Sequence, residues 1–194
     1  LLPEIVGAVS REAPKVRVEI ERELTPPELD QLRRDRIDLG LGLLPQSAAG
    51  LEVHPLGHVD FAVAVCSDHD FLADPSFERW AASSHVTVRT GRPGESIVGS
   101  AASQRGVDRH IALHASNFLL AVHTVAHTEL LFSAPSALLR PLGEQLPIDI
   151  APLPLSIEPV PVAGMWSASA SSDEGHRWFR ERVLDELEPH FSKE

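Results

Sequence analysis

The sequence has 194 residues, 43% apolar and 23% charged, enough for one large domain or two small lobes with cores of their own, and too apolar for a disordered tail. A formal net charge of −11 argues against direct DNA binding, because phosphate neutralisation needs a concentrated basic face. No apolar run is long enough to cross a bilayer, no basic-flanked leader opens the sequence, and the single cysteine, Cys66, excludes an intrachain disulfide and a thiolate metal cluster.

Residues 1–13 carry Leu2, Ile5, Val6 and Val9 on one stripe, the pattern of an amphipathic helix that Pro14 must end. Because Leu1-Leu2-Pro3-Glu4-Ile5 reads as the inside of a helix, the sequence is expected to be a piece of a longer protein. Residues 16–21 alternate apolar and polar, which predicts an edge strand covered on one face. Thr25, Pro26 and Glu28 supply a cap, a first-position proline and a capping-box acid for a helix reaching about Arg36. Residues 37–44 are almost continuously apolar, as an interior strand would be.

Further strands are predicted over 51–56 and 61–66, then a helix over 77–82 and a strand over 85–89. A Gly/Pro/Arg loop over 90–95 leads into a helix over 97–105 and a strand over 109–115. Ser116 and Asn117 cap a helix over 118–127; a strand follows over 130–133, and Pro135 opens a helix to Leu142. Residues 147–161 are proline-rich and read as extended connection before a strand over 162–166. Ser171-Ser172-Asp173-Glu174 opens a last helix with Trp178, Phe179, Val183, Leu184 and Leu187 inward. This alternation of helices and strands predicts an α/β fold with right-handed crossovers.

Catalytic patterns are weak. Gly94-Glu95-Ser96-Ile97-Val98-Gly99 is one residue too long for a nucleophile elbow and reads as a loop entering a helix. His123 and His127 have zinc-helix spacing, and His110 and His114 share a strand face, but Thr124 stands where a hydrolase needs a glutamate and no third ligand is identifiable. No cofactor motif and no enzymatic activity are expected. Ligands of open α/β sheets bind beyond the carboxyl ends of the strands. Three loops there carry suitable groups: Gly42, Leu43 and Leu44; Arg89, Thr90, Gly91, Arg92 and Pro93; and Ser116, Asn117 and Phe118. Guanidinium groups, glycines and a helix N-terminus suit a carboxylate, and the apolar members suit an aromatic body.

Leu2-Pro3-Glu4-Ile5 with Ala13-Pro14, Glu28-Leu29-Asp30-Gln31-Leu32 before Arg36-Ile37-Asp38-Leu39-Gly40-Leu41, the His69 segment, residues 130–135, and Met165-Trp166 with Asp173-Glu174-Gly175-His176-Arg177-Trp178-Phe179-Arg180 occur in this order. The sequence thereby resembles, over nearly its whole length, the effector-binding domain of LysR-type bacterial transcription regulators. Ser167-Ala168-Ser169 departs from the family's usual His-Pro-Arg, and Asp173-Glu174 from its usual Asp-Pro cap.

The resemblance implies a type 2 periplasmic-binding-protein fold, two Rossmann-like lobes joined by two crossovers, with residues 1–59 plus 160–194 as the first lobe and 60–159 as the second. It adds Ser133 and Pro135 to the ligand-binding positions, in a cleft between the lobes whose first-lobe strand precedes this sequence. It implies a cytoplasmic sensor of a small organic acid, with DNA held only by a winged helix-turn-helix outside this sequence and no membrane partner. It also implies a homodimer through helix 1–13 and strand 16–23, and a tetramer of the full-length protein. A solute receptor of the same fold and a small hydrolase using Ser96 are the competing readings.

Overall fold

A helix survives only where one face finds something to pack on, and a strand only where its backbone finds a ladder; both conditions decide where the predicted elements stop. The computed structural model describes residues 2–21, 26–45, 47–88 and 96–191. In chain order they form α1 (Leu2–Glu12), α2 (Pro26–Arg33), β1 (Gly40–Leu43), β2 (Leu51–Val59), β3 (Phe61–Cys66), α3 (Phe77–Ala82), β4 (Ser84–Val88), α4 (Ile97–Gln104), β5 (His110–Ala115), α5 (Phe118–Val125), β6 (Leu131–Pro135), α6 (Ser136–Gly143), β7 (Ile148–Pro152), β8 (Val160–Ser167) and α7 (Glu174–Leu187). The chain divides into two compact units, Leu1–Val59 with Val160–Glu194, and Asp60–Pro159, and passes between them twice.

In the first unit β8 lies between β1 and β2, antiparallel to both. The expected parallel strand pairing is not found among its described strands. Ala163 and Met165 of β8 face α2 through Leu32, while the alternate residue Gly164 faces α7. A Cβ at Gly164 would stand 2.5 Å from Leu184 Cδ2, so this glycine lets the last helix close on the sheet. α1 packs on α7 with Ile5, Ala8 and Val9 inward, leaving Leu2 and Val6 of the predicted stripe exposed. β2 runs three residues further than expected because a bulge at Leu56, relieved by Gly57 at φ 136°, carries it past Pro55.

Residues 16–21 form no strand. They run without a ladder partner among the described residues, with Val16 47% and Ile20 62% exposed; residues 22 and 23 of that expected strand lie outside the described residues. Alternation supplies a face but not the neighbour that a strand requires. α2 stops at Arg33 rather than Arg36 because Asp35 takes the left-handed conformation (φ 53°), with Arg36 N–H donating back to Gln31 O at 3.0 Å. The carboxylate of Asp35 accepts from the Ser169 hydroxyl (2.8 Å to Oδ2), which holds its acid well below the usual range.

The second unit is a five-stranded sheet of order β5-β4-β6-β3-β7, in which β4 is parallel to β5 and β6, and β3 is antiparallel to β6 and β7. Successive residues feed opposite faces. Ala62, Ala64, Phe132 and Ala134 pack under α5 and α6, while Val63, Val65 and Leu131 pack with Trp80 of α3 and Val98 of α4. Residues 148–152 of the expected connection form the edge strand β7, where Pro147 and Pro152 cost no interior ladder bond. Pro135 ends β6 and caps α6 rather than opening the helix itself.

Candidate functional site

Parallel pairing brings the carboxyl ends of β4, β5 and β6 to one edge of the five-stranded sheet. Ser116, Asn117 and Phe118 follow β5; Pro135 ends β6, with Ser133 two residues before it, two strand spacings away, roughly 10 Å. β3 begins at the same edge, with Phe61 opposite Pro135. Residues 89–95, which follow β4 between them, lie outside the described residues; that segment holds the predicted Arg89, Thr90, Gly91, Arg92 and Pro93. Gly42, Leu43 and Leu44 belong to the other unit, at the end of β1, where Leu43 and Leu44 are exposed and Leu44 N–H donates to Pro161 O at 3.3 Å.

Local chemistry positions each group. Asn117 Oδ1 accepts from Leu120 N–H at 2.9 Å and its Nδ2 donates to Ser116 Oγ at 3.4 Å, the capping arrangement expected for α5. Ser136 donates to Asp60 O from both its backbone N–H (2.8 Å) and its hydroxyl (3.2 Å), tying the start of α6 to the start of β3. Thus α5 and α6, eight residues each, both open at this edge, and two helix N-termini with their partial positive charge face the space beyond it.

Two predicted contacts have structural partners already. Phe118 is half-buried, its ring 5.9 Å from Phe132, and belongs to the core. Ser133 Oγ accepts from the Trp80 indole N–H at 3.0 Å, which leaves the hydroxyl proton to donate. Leu119 and Leu120, 54% and 47% exposed, present the apolar surface that was expected of Phe118. The signal was in the sequence. The run Phe118-Leu119-Leu120-Ala121-Val122 is longer than the one face α5 can bury, and Ala121, Val122 and Val125 fill that face.

Ser96 Oγ caps α4 by accepting from Gly99 N–H at 2.9 Å. His123 and His127 are exposed on and just beyond α5, and among the described residues no three His, Cys, Asp or Glu side chains are grouped to hold a metal ion. Burial pushes the Cys66 thiol up, and the carboxylates of Glu129 and Asp68 add to the shift, which favours the thiol over the thiolate.

The family described as LysR substrate binding domain matches residues 1–188. The chain is 23% identical over 185 residues to the HTH-type transcriptional activator NahR of Pseudomonas putida, covering 95% of this chain and 62% of NahR. It therefore spans less than two thirds of the length of such curated relatives. It is also similar to the regulatory domain of MexT, a transcriptional activator in Pseudomonas aeruginosa, with a TM-score of 0.82 at 16% identity over 96% of this chain and 91% of that one. The BenM effector binding domain, solved with its effector benzoate, gives a TM-score of 0.67 at 19% identity over the whole of this chain and 89% of that one. The fold is that of type 2 periplasmic binding proteins, and with the family match over residues 1–188 the chain belongs to the LysR substrate binding domain family.

Proposed function

We propose that this chain is the sensing part of a LysR-type transcription regulator, that it binds a small organic acid, and that the acid controls DNA binding by a helix-turn-helix outside this sequence. The observation that carries the reading is the second unit's sheet edge, where α5 and α6 open toward the same space beside Ser116, Asn117 and exposed leucines. An anion is favoured by two helix N-termini, and an apolar body by Leu119 and Leu120. Ser116, Asn117, Phe118, Ser133 and Pro135 of the second unit contribute to the site, with Arg89, Thr90, Gly91, Arg92 and Pro93 as the loop after β4. Gly42, Leu43 and Leu44, at the end of β1, are proposed as ligand positions of the first unit. The two units are the two lobes of the sensor, which catalyses no reaction and works in the cytoplasm.

The net charge of −11 supports this division of labour, since the acidic chain leaves phosphate contacts to another domain. Self-association is proposed through helix 1–13 and residues 16–23, giving a homodimer and, in the full-length protein, a tetramer. Exposed Leu2, Val6, Val16 and Ile20 support it.

Titration calorimetry with benzoate, shikimate and an aliphatic carboxylate of similar size tests the site. One class should bind saturably and raise the melting temperature. Thr90→Ala and Arg92→Ala should each weaken that binding about tenfold or more, the loss of a charge-assisted hydrogen bond, without unfolding the chain. Unchanged affinity in both variants would sink the residue assignment, and no heat from any carboxylate would sink the ligand class.

A further inference from the structure

At the opposite edge of the five-stranded sheet, Ser84 and His110, the first residues of β4 and β5, stand opposite each other, and Ser84 Oγ lies 3.0 Å from His110 Nδ1. Phe77 and Trp80, one turn apart on α3, lie beside them with ring centroids 6.0 Å apart and planes 26° from parallel. The Arg105 guanidinium carbon sits 5.3 Å from the Phe77 centroid, and that of Arg109 5.4 Å from the Trp80 ring. Gly106 at φ 74° makes the tight turn between the two arginines, with Val107 N–H donating to Ala102 O at 3.0 Å. The chain reversal after α4 therefore delivers both cations to one aromatic pair.

Arg109 is the unusual member. It is half-buried, yet among the described residues no carboxylate or carbonyl oxygen accepts from its guanidinium. It lies over the Trp80 ring, and its charge acts on the nearby His85 imidazole. His85 is wholly buried edge-on to Trp80 at 5.1 Å, donates from Nε2 to Trp80 O at 2.9 Å, and keeps Nδ1 without a partner among the described residues. Burial lowers the Arg109 pKa, as expected of a cation held from water without an anion. Three of the four arginines among the second unit's described residues, Arg79, Arg105 and Arg109, lie in α3 and this turn, in a chain whose net charge is −11. A guanidinium with a free fork is matched by two oxygens on one centre.

We propose that Arg109, with Arg105 beside it, forms a second anion site, one that takes a small oxyanion (carboxylate or phosphate) across the Arg109 fork. The aromatic pair holds the two side chains in place before the anion arrives, so little rotamer freedom is lost on binding. This site is independent of the effector edge, since it lies at the other end of the same strands.

The test is a titration of the whole 194-residue chain with inorganic phosphate and, separately, acetate, followed by the nitrogen-15 signals of the arginine side chains. Saturating shifts at Arg109 and Arg105 with either anion are expected. Arg109→Lys keeps charge and stem but removes the fork, and should weaken saturation at least tenfold; Arg105→Ala should weaken it less. Linear, unsaturating shifts overturn the proposal. So does a response carried instead by Asn117→Ala, which would place the anion at the effector edge. A change in sedimentation mass in Arg109→Lys with an unaltered phosphate titration also overturns it, because the surface would then be a protein contact.

Discussion

His85 shows how much a single buried group controls. Desolvation first, then the nearby Arg109 charge, lowers its pKa from 6.5 to about 4. Between those values the unfolded chain binds a proton that the folded chain refuses. Stability therefore falls as pH drops from 6.5 toward 4 and levels off below, by about 3 kcal/mol at most. Urea denaturation at pH 7 and 4.5 should show this loss in the native protein and a smaller one in His85→Leu; equal losses would mean that His85 is not the group responsible. Ser133 makes a second case. Its oxygen is the acceptor for the buried Trp80 indole, so Ser133→Ala should cost about 1–3 kcal/mol by leaving that N–H unpaired. Trp80→Phe in the same background should remove the coupling in a double-mutant cycle. Arg180 was not foreseen as an inward residue, because its charge suggested solvent. It is buried over the Trp166 ring at 4.8 Å and lies 3.0 Å from His176 Nδ1.

At the scale of elements, α7 closes on β8 at a glycine. Gly164 makes room for Leu184, so Gly164→Val should destabilise the first unit by about 1–3 kcal/mol through overpacking. Leu184→Ala in the same chain should return part of that loss, measured by urea denaturation; a purely additive double mutant would contradict the clash. α1, β3, α3 and α5 fall within two residues of their predicted bounds, and α7 starts at the end of the expected opening segment, because each combines an apolar pattern with a stop signal or a capping residue. Asn117 and Asp173 both cap as their residue types and positions suggested. Strand β7 was hidden because prolines at both ends read as loop, and only the ladder with β3 shows that they stand at a sheet edge.

For the whole molecule, the exposed apolar side chains of α1 and residues 16–21 bear on assembly. If they are the proposed dimer surface, Val6→Asp together with Ile20→Asp should shift the sedimentation mass from dimer toward monomer without loss of helical signal. An unchanged mass would remove these residues from the interface. The candidate site was legible in part. Asn117 and Ser116 announce themselves as a cap after a strand, and α/β order alone places such caps at the ligand edge. Leu119 and Leu120 were missed because sequence periodicity does not say which apolar residues of a run exceed the face available.

Local signals in the sequence determined the α/β class, most helix starts and the family resemblance, since these depend on neighbours within a few residues, and the single cysteine by itself excluded a disulfide within this sequence. Strand partners needed the folded chain. Whether residues 16–21 or 148–152 become a strand depends on a backbone far along the chain, which alternation cannot supply. The same holds for the burial of Arg180 and His85, and for the pairing of Ser133 with Trp80 across 53 positions. A charge or hydroxyl can be taken out of water only when distant groups close around it, and those distances are set by tertiary packing.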